Sequence, residues 1–336
     1  MANNKKHKKR SGLRVLLRVL VVIIILAAGA VAFLGYQLSK LGTFSTEELG
    51  STDIETESIT TSVEGVCNIL LIGQDNRSDD DTGRSDTMII FSINQNTNQM
   101  SMISLMRDTY VEIPGYSSQK LNAAYSLGGV SLLDETIAQN YGVAIDYNVA
   151  IDFEGFIDVI DTLGGVDIEL NEEEVNYLQG GANGEYLKYL TDGPYDVTVG
   201  VNRLNGAAAL DYARTRKVGQ YDFERTQRQR NVITAVFNEL KTQSVASLLS
   251  VYNSIAGDLT TDMTALQIAG VGLSAYGMKD NGILSYRLPT DDMYTNQSIS
   301  GIGSVLIIND WDYARETLAS WLYDAPEDTA DGAESE

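Results

Sequence analysis

The chain has 336 residues and carries 46 acidic against 24 basic side chains, giving a formal net charge of −22 at pH 7. That charge repels nucleic acid, which excludes nucleic acid as a partner. The single cysteine, Cys67, cannot form an internal disulfide, and the single histidine, His7, lies near the N-terminus. Histidine chemistry such as a Ser-His triad or a His-ligated zinc site is therefore excluded from the rest of the chain.

An unbroken apolar run extends from Val19 to Tyr36 and follows seven cations within residues 5–18. Its length predicts a transmembrane anchor. The cations on its N-terminal side predict a basic cytoplasmic tail, residues 1–18, with the bulk of the chain extracellular. A signal peptide cleaved near Ala30-Val31-Ala32 is the alternative, and the length of the run favours the anchor. We therefore expect a single-pass protein of the cell membrane, with its anchor at 19–36.

Composition divides the remainder into three parts. Residues 37–63 are rich in Ser, Thr and Glu, which predicts a stalk. Residues 325–336 are acidic and rich in small residues, which predicts a disordered tail. The segment between them, 64–324, is long enough for one large domain with its own core.

Strand and helix patterns alternate along this domain. Nearly continuous apolar runs predict central strands at Asn68–Ile72 and Thr87–Ile93, and Met100–Leu105 predicts a third strand after a turn. Further helices are expected after residues 243 and 264, in addition to four segments with helical periodicity: Val130–Asn140, Phe153–Thr162, Leu204–Tyr212 and Phe223–Lys241. These patterns predict a three-layer α/β/α domain with a mixed central sheet, preceded by one transmembrane helix.

Charged residues flank the first three predicted strands. Asp75 follows the first strand, Arg84 and Asp86 precede the second, and Arg107 and Asp108 follow the third. If the second and third strands form a hairpin, the start of one and the end of the other lie at the same edge of the sheet. We therefore expect these side chains at one edge, where active sites of α/β sheets are common.

Five arginines and a glutamine are concentrated within a short segment of this acidic chain: Arg214, Arg216, Arg225, Arg228, Gln229 and Arg230. Such a cluster predicts a phosphorylated ligand, because guanidinium groups match phosphate oxygens in charge and geometry. The first two arginines follow a predicted helix. They point to the same side only if the backbone between them is extended.

The other members of the cluster lie on the helix predicted at Phe223–Lys241. Gln229 falls near the centre of its apolar face and Arg225 near the margin, so both need buried partners. Arg228 and Arg230 lie well off that face, and we expect them to be solvated. Asp222, just before the helix, is either its N-cap or a catalytic carboxylate.

Several carboxylates and guanidinium groups without histidine fit phosphoryl transfer from a diphosphate. Two aspartates can hold Mg²⁺. Arginines stabilise charge on the transferred and leaving phosphates, and an aspartate can deprotonate an attacking hydroxyl. The chain contains neither GxxxxGK[ST] nor GxGxxG, so a standard nucleotide site is not expected.

An ordered set of motifs between about residues 66 and 240 resembles the LytR-CpsA-Psr family. Met106 and Asn76 depart from the family pattern without removing a charged group. The matching strings are Asn68–Asp75, Gly83–Thr87, Ser104–Val111, Lys120–Tyr125, Leu163–Asp167, Leu204–Gly206 with Ala209-Leu210, Arg214-x-Arg216 and Asp222–Gln229.

The resemblance implies an envelope transferase that moves a glycopolymer from polyprenyl pyrophosphate to peptidoglycan, in a Gram-positive-type envelope. It implies Mg²⁺, with Mn²⁺ as the alternative, bound by Asp75 and Asp86. It also implies that the diphosphate is held by the matching arginines and glutamine, with Asp222 as candidate acid or base: Arg84, Arg107, Arg214, Arg216 and Gln229.

Three further residues are assigned to substrate binding, namely Arg225, Lys120 and Asp108. For Lys120 and Asp108 a purely structural role is the alternative. Two other functions stay open at this point. The same site could transfer to water, as a polyprenyl-diphosphate phosphatase, or the protein could be a non-catalytic, membrane-anchored regulator or binding module.

Overall fold

The computed structural model describes residues 63–75, 84–151, 153–219, 221–242, 260–278 and 280–325. The predicted tail, anchor and all but the last residue of the stalk lie outside these residues, as does nearly all of the predicted acidic tail and the helix expected after residue 243. Within the described ranges, no helix combines the length and the apolar character that crossing a bilayer requires.

A six-stranded mixed sheet forms the centre of the domain, in the order β10-β3-β2-β1-β6-β9. The pairs β1–β6 and β3–β10 are parallel, and the others are antiparallel. The strands are β1 Val66–Asp75, β2 Arg84–Asn94, β3 Gln99–Leu105, β6 Tyr147–Ile151, β9 Thr260–Thr261 and β10 Leu284–Leu288. Three hairpins outside this sheet pair β4 Tyr110–Val111 with β5 Gln119–Lys120, β7 Val166–Leu170 with β8 Gly200–Leu204, and β11 Tyr294–Ile299 with β12 Gly303–Ile308.

Helices cover both faces of the sheet, so the predicted three-layer arrangement is confirmed. One apolar core joins the sheet to α2, α3, α4, α5 and α6, and a second core on the opposite face joins it to α1 and α7. The helices are α1 Leu121–Tyr141, α2 Phe153–Thr162, α3 Glu172–Leu178, α4 Gly206–Arg214, α5 Tyr221–Leu240, α6 Ala265–Gly277 and α7 Trp311–Tyr323.

The four helical segments predicted from periodicity are confirmed, and α2 has the expected bounds at both ends. The other three begin or end up to nine residues away from the prediction, most clearly α1, which begins at Leu121. That helix is kinked because Gly128 and Gly129 leave helical geometry, and this break hides its first part from a helical pattern.

Gly206 begins α4 where that helix meets α2. A Cβ atom at this position would lie 2.5 Å from both the Cα and the carbonyl oxygen of Ile157, which are backbone atoms and cannot rotate away. The Gly206 amide donates to the Asp161 carboxylate at 2.8 Å, so a hydrogen bond as well as close backbone packing joins α4 to α2 at this point.

Gly206→Ala is therefore expected to lower the free energy of unfolding by about 1–3 kcal/mol through overpacking. Gly270→Ala is the matched control: it is a helical glycine with no atom within 4 Å of an added Cβ. This control should raise stability by about 0.5–1 kcal/mol, since alanine restricts the unfolded chain. Urea unfolding of the full chain in detergent measures both, and equal stabilities of the two variants would contradict the expectation.

Two aspartates, half-buried Asp134 and exposed Asp262, join α1 to β6 and the segment after β9 through the buried Asn148. The Asn148 side-chain amide donates to Asp134 at 2.6 Å and to Asp262 at 3.1 Å, and the Asn148 backbone amide donates to Asp262 at 2.8 Å. Burial raises the pKa of Asp134 to about 7, the charge of Asp262 adds to this shift, and the hydrogen bond from Asn148 opposes it.

Stability is therefore expected to depend on pH through Asp134. Its folded-state pKa lies above the value of about 4 in an unfolded chain. The folded state thus binds the proton more tightly, and this contribution to stability is complete below about pH 4 and lost as the pH rises through about 7. Thermal unfolding across this range should lose much of its pH dependence in Asp134→Asn, but not in Asp158→Asn, an exposed control on α2. Identical pH profiles of wild type and Asp134→Asn would refute this.

Candidate active site

The C-terminal end of β1 lies beside the N-terminal end of β2, as predicted for the aspartate motifs. Gly73 pairs with Thr87 and Asp75 with Arg84, with a register shift between Gly73 and Gln74. The shift leaves Asp86 as the extra residue of a bulge, a feature that re-aims a side chain at a sheet edge. The structure thus brings the backbones of Asp75, Arg84 and Asp86 together, while their side chains lie outside what it describes.

The Arg107 loop leaves β3 at this same edge. The Asn122 amide at the start of α1 donates to the Arg107 carbonyl oxygen at 3.2 Å. Asp108 accepts a 2.6 Å hydrogen bond from Lys120 and lies 3.4 Å from the Arg107 guanidinium. Lys120 and Asp108 therefore brace each other and Arg107, which favours the structural alternative for this pair.

Gln229 on α5 reaches β2 next to the bulge. The Thr87 hydroxyl donates to its side-chain oxygen at 3.3 Å. Gln229 and Arg225 are both 4% exposed, which confirms that both lie on a buried face. The Gln229 side-chain nitrogen and the Ser85 hydroxyl are buried with no hydrogen-bond partner among the described residues. Two such donors at one corner suit an anionic ligand, which would accept hydrogen bonds from both.

Arg214 and Arg216 approach the edge from the end of α4. Thr215 between them is extended, with φ −63° and ψ 135°, and it is buried while Arg214 is half-buried and Arg216 exposed. The condition for the two arginines to share a side, an extended backbone between them, is therefore met. The Arg214 guanidinium lies 4.8 Å from the Phe153 ring centroid, and Phe153 follows β6, whose last residue pairs with Gly73 on β1. Arg214 thus lies near the end of β1.

Asp211 supports Arg214 from the helix interior. This carboxylate is 1% exposed and lies 3.7 Å from the Arg214 guanidinium. It also accepts hydrogen bonds from the Thr191 amide at 2.6 Å, the Thr191 hydroxyl at 2.7 Å and the Tyr195 hydroxyl at 2.7 Å. Burial raises the pKa of Asp211, and these hydrogen bonds and Arg214 oppose the shift. The sequence did not single out Asp211, whose partners are distant along the chain.

The prediction that Arg228 is solvated is wrong. Its side chain is 3% exposed and donates to the carbonyl oxygens of Thr215 at 3.2 Å and Val218 at 3.0 Å. It also contacts the carboxylates of Glu174 at 3.3 Å and Glu224 at 3.4 Å. A buried arginine is tolerated because these groups pair it, and three of the four (Glu174, Thr215 and Val218) come from segments that the helical pattern of α5 does not include. Arg228 therefore holds the segment that carries Arg216.

The same prediction for Arg230 is also wrong, because this side chain packs against the sheet. Its guanidinium donates to the hydroxyls of Ser285 at 2.7 Å and Ser104 at 2.5 Å, and to the Gln227 side-chain oxygen at 2.5 Å. Burial, and then the nearby charge of Arg287, lowers the pKa of Arg230 to about 10. The two serines lie on the neighbouring strands β10 and β3, and their hydroxyls accommodate the guanidinium.

Arg287 is a further cation that sequence reasoning missed. It lies on β10, 4.3 Å from the ring centroid of Phe223 in the first turn of α5, and its guanidinium is 2.7 Å from the Asp291 carboxylate. Because β10 runs parallel to β3, its C-terminal end lies at the same edge as Arg107. No motif surrounds Arg287, and only the pairing of β10 with β3 reveals its position. Asp222 precedes Phe223, and its side chain lies outside the described part.

Arg228→Met is expected to lower the free energy of unfolding by about 3 kcal/mol or more, because it leaves the buried Glu174 carboxylate without its guanidinium. Arg203→Met is the control: Arg203 forms a 2.6 Å ion pair with Glu239, and its side chain is 40% exposed. This control should cost less than about 1 kcal/mol. Urea unfolding of both variants measures the difference. A loss of stability in Arg228→Met no larger than that of the control would contradict the pairing role assigned to Arg228.

Comparison with known proteins identifies relatives along most of the chain. The LytR_cpsA_psr family model matches residues 34–313. A polyisoprenyl-teichoic acid–peptidoglycan teichoic acid transferase TagU of Oceanobacillus iheyensis is 34% identical over 257 residues, covering 70% of this chain and 75% of that protein. The regulatory protein MsrR of Staphylococcus aureus is 29% identical over 248 residues, covering 73% of this chain and 71% of that protein.

Solved structures share the architecture. Protein gbs0355 from Streptococcus agalactiae superposes with a TM-score of 0.61 at 26% identity, covering 76% of this chain and 88% of that chain. TagT bound to LIIa-WTA has a TM-score of 0.62 at 23% identity, covering 84% of this chain and 99% of that chain. The sequence match and the common mixed α/β/α fold agree, and the chain belongs to the LytR-CpsA-Psr family.

Proposed function

We propose that this protein transfers a glycopolymer from a polyprenyl diphosphate carrier to peptidoglycan. The observation that carries the proposal is the meeting of the two aspartate positions, the Arg107 loop, the Arg214-Thr215-Arg216 segment and Gln229 at one edge of the sheet. The TagU name of relatives that are 28–35% identical supports the same reaction class. Polyprenyl-linked glycopolymer and peptidoglycan are the expected partners.

The proposed reaction forms one phosphodiester and breaks one phosphoanhydride. A hydroxyl of peptidoglycan attacks the phosphorus that carries the glycan, and the bond from that phosphorus to the bridging oxygen breaks. Polyprenyl phosphate leaves with the electron pair. Asp222 would take the hydroxyl proton as general base. Arg84, Arg107, Arg214 and Arg216 would bind the phosphate oxygens on which negative charge accumulates.

Gln229 and Arg225 would orient the diphosphate from α5. The Gln229 side-chain nitrogen, which has no hydrogen-bond partner among the described residues, is a buried donor beside β2 that suits a phosphate oxygen. Lys120 and Asp108 would act indirectly, since their mutual ion pair sets the position of Arg107. Arg228 has the same kind of positioning role for Arg216.

Asp75 and Asp86 would hold a divalent cation, Mg²⁺ or the alternative Mn²⁺. Their backbones fit this role, because the pairing of Asp75 with Arg84 and the bulge at Asp86 bring the two carboxylate-bearing positions together. Oxygen donors of this kind suit Mg²⁺, which binds through one or two carboxylates together with phosphate oxygens. When bound, the ion would neutralise charge on the diphosphate.

The proposed location is the cell membrane, with one span at residues 19–36, the N-terminus in the cytoplasm and the catalytic domain outside. The apolar run and the seven cations before it support this topology. A lipid-linked donor and a peptidoglycan acceptor both require a domain that acts at the outer face of the cell membrane.

The transfer assay uses the full chain in detergent, a short glycan on polyprenyl diphosphate, peptidoglycan oligomers and Mg²⁺. Arg214→Ala or Arg216→Ala should lower kcat at least about a hundredfold, the loss typical of a preorganised charge-stabilising donor. Arg315→Ala, on α7 outside the site, is the control. Asp75→Ala with Asp86→Ala should abolish metal-dependent product.

Three outcomes would count against transfer to peptidoglycan. Metal-dependent release of phosphorylated glycan without coupling would favour a phosphatase. Donor binding without any bond broken would favour a non-catalytic role, which the regulatory name of the Staphylococcus aureus relative makes worth testing. Near-normal kcat in both arginine variants would remove Arg214 and Arg216 from the reaction.

A further inference from the structure

A basic aromatic surface lies next to the arginine segment, on the loop between α3 and β8. Leu187 and Tyr189 are large apolar or aromatic residues that are 45% and 40% exposed. The ammonium nitrogens of Lys188 and Lys217 each lie 4.9 Å from the Tyr189 ring centroid. We call these four residues the Tyr189 platform. Lys217 directly follows Arg216, so the platform adjoins the proposed diphosphate site.

The two lysines are unusual in so acidic a chain. Among the described residues, neither Lys188 nor Lys217 forms an ion pair with a carboxylate, although the chain has nearly twice as many acids as bases. Both are exposed. Their ammonium groups, Lys188 before Lys217, hold the pKa of Tyr189 below its usual range. The platform therefore presents positive charge that no carboxylate of the described residues pairs with.

The position of the platform relative to Arg214 is fixed by a shared anchor. Asp211 accepts hydrogen bonds from Thr191 and Tyr195, which belong to the same loop as Tyr189, and it also lies 3.7 Å from Arg214. The anchor is buried, so one rigid group sets both the loop and the arginine. On the other side, Lys217 is linked covalently to Arg216.

The chemistry of the platform matches alternating sugars and phosphates. An exposed tyrosine ring offers an apolar surface with a polar hydroxyl, suited to the C–H face of a sugar. Lysine ammonium groups bind phosphate as point charges. A neutral glycan would use only the ring, whereas a sugar-phosphate chain would use the ring and both cations together.

We propose that the Tyr189 platform binds the anionic glycan of the donor, receiving sugar-phosphate units as the chain leaves the diphosphate site. This inference rests on the proposed function, because it places the donor diphosphate at Arg214 and Arg216. It assigns the platform to the donor polymer, and it predicts selection for phosphate-containing polymers over neutral ones.

The test measures direct binding by calorimetry, with the full chain in detergent and a soluble sugar-phosphate oligomer that carries no lipid. A neutral glycan of the same length and a soluble peptidoglycan fragment are the comparison ligands. The variants are Tyr189→Ala and the double substitution Lys188→Gln with Lys217→Gln. Lys241→Gln is the matched control, because Lys241 also lies over an aromatic ring, at 5.3 Å from the Phe237 centroid, but at the far end of α5.

The double lysine substitution should weaken binding of the sugar-phosphate oligomer about fivefold to tenfold, the effect expected of two exposed ion pairs. Tyr189→Ala should also weaken it, and added salt should reduce the difference between wild type and the lysine variant. Lys241→Gln and the neutral glycan should show no such change. Lys188, Tyr189 and Lys217 are exposed and Lys241 is half-buried, so folding is checked by comparing the thermal unfolding of each variant with wild type.

Wild-type affinity for the sugar-phosphate oligomer in the platform variants would overturn the inference. So would equal binding of the neutral glycan, no binding by wild type, or a loss confined to the peptidoglycan fragment, which would assign the platform to the acceptor. The measurement needs no turnover. Absence of transfer with intact oligomer binding would therefore count against the proposed function and not against the platform.

Discussion

Strands β1, β3, β6 and β10 all end at one edge of the central sheet, and the same backbone hydrogen bonds that set their directions decide which side chains can meet there. β2 begins at this edge because it is antiparallel to its neighbours. A single register shift then leaves Asp86 as an extra residue close to Asp75. Segments that lie far apart in sequence thereby converge, which is the usual way in which an α/β sheet builds a site from its strand ends.

The first half of α5 buries arginines at positions where most buried helices carry apolar residues. Arg228 binds two backbone carbonyl oxygens and two carboxylates, and Arg230 binds two serine hydroxyls on the sheet and a glutamine on its own helix. Burying a guanidinium is unfavourable unless its donors are satisfied, so each arginine requires a particular placement of its neighbours. This requirement makes the wall of the candidate site specific in geometry as well as positive in charge.

The distribution of positive charge connects the two proposals. Arg214, Arg216 and Lys217 lie within four consecutive residues that begin at the end of α4, and buried Asp211 ties the beginning of that segment to the loop of the Tyr189 platform. A ligand with several phosphates spaced along a chain could contact this segment without meeting the negative charge that dominates elsewhere. The acidic remainder of the chain would repel an anionic ligand elsewhere on the surface.

Local sequence patterns determined the elements and the residue types of the site. Periodicity predicted α2 at its observed bounds and the buried positions of Gln229 and Arg225, and strand-end motifs predicted the aspartate edge. Tertiary structure decided which charges are buried: Arg228 and Arg230 were expected in solvent, and Asp211 and Arg287 were not singled out. Their partners, such as Glu174 for Arg228 and Ser285 for Arg230, lie about fifty residues away. A helical pattern reports only which face of α5 is apolar, whereas the free energy of burying a charge depends on partners that long-range folding supplies.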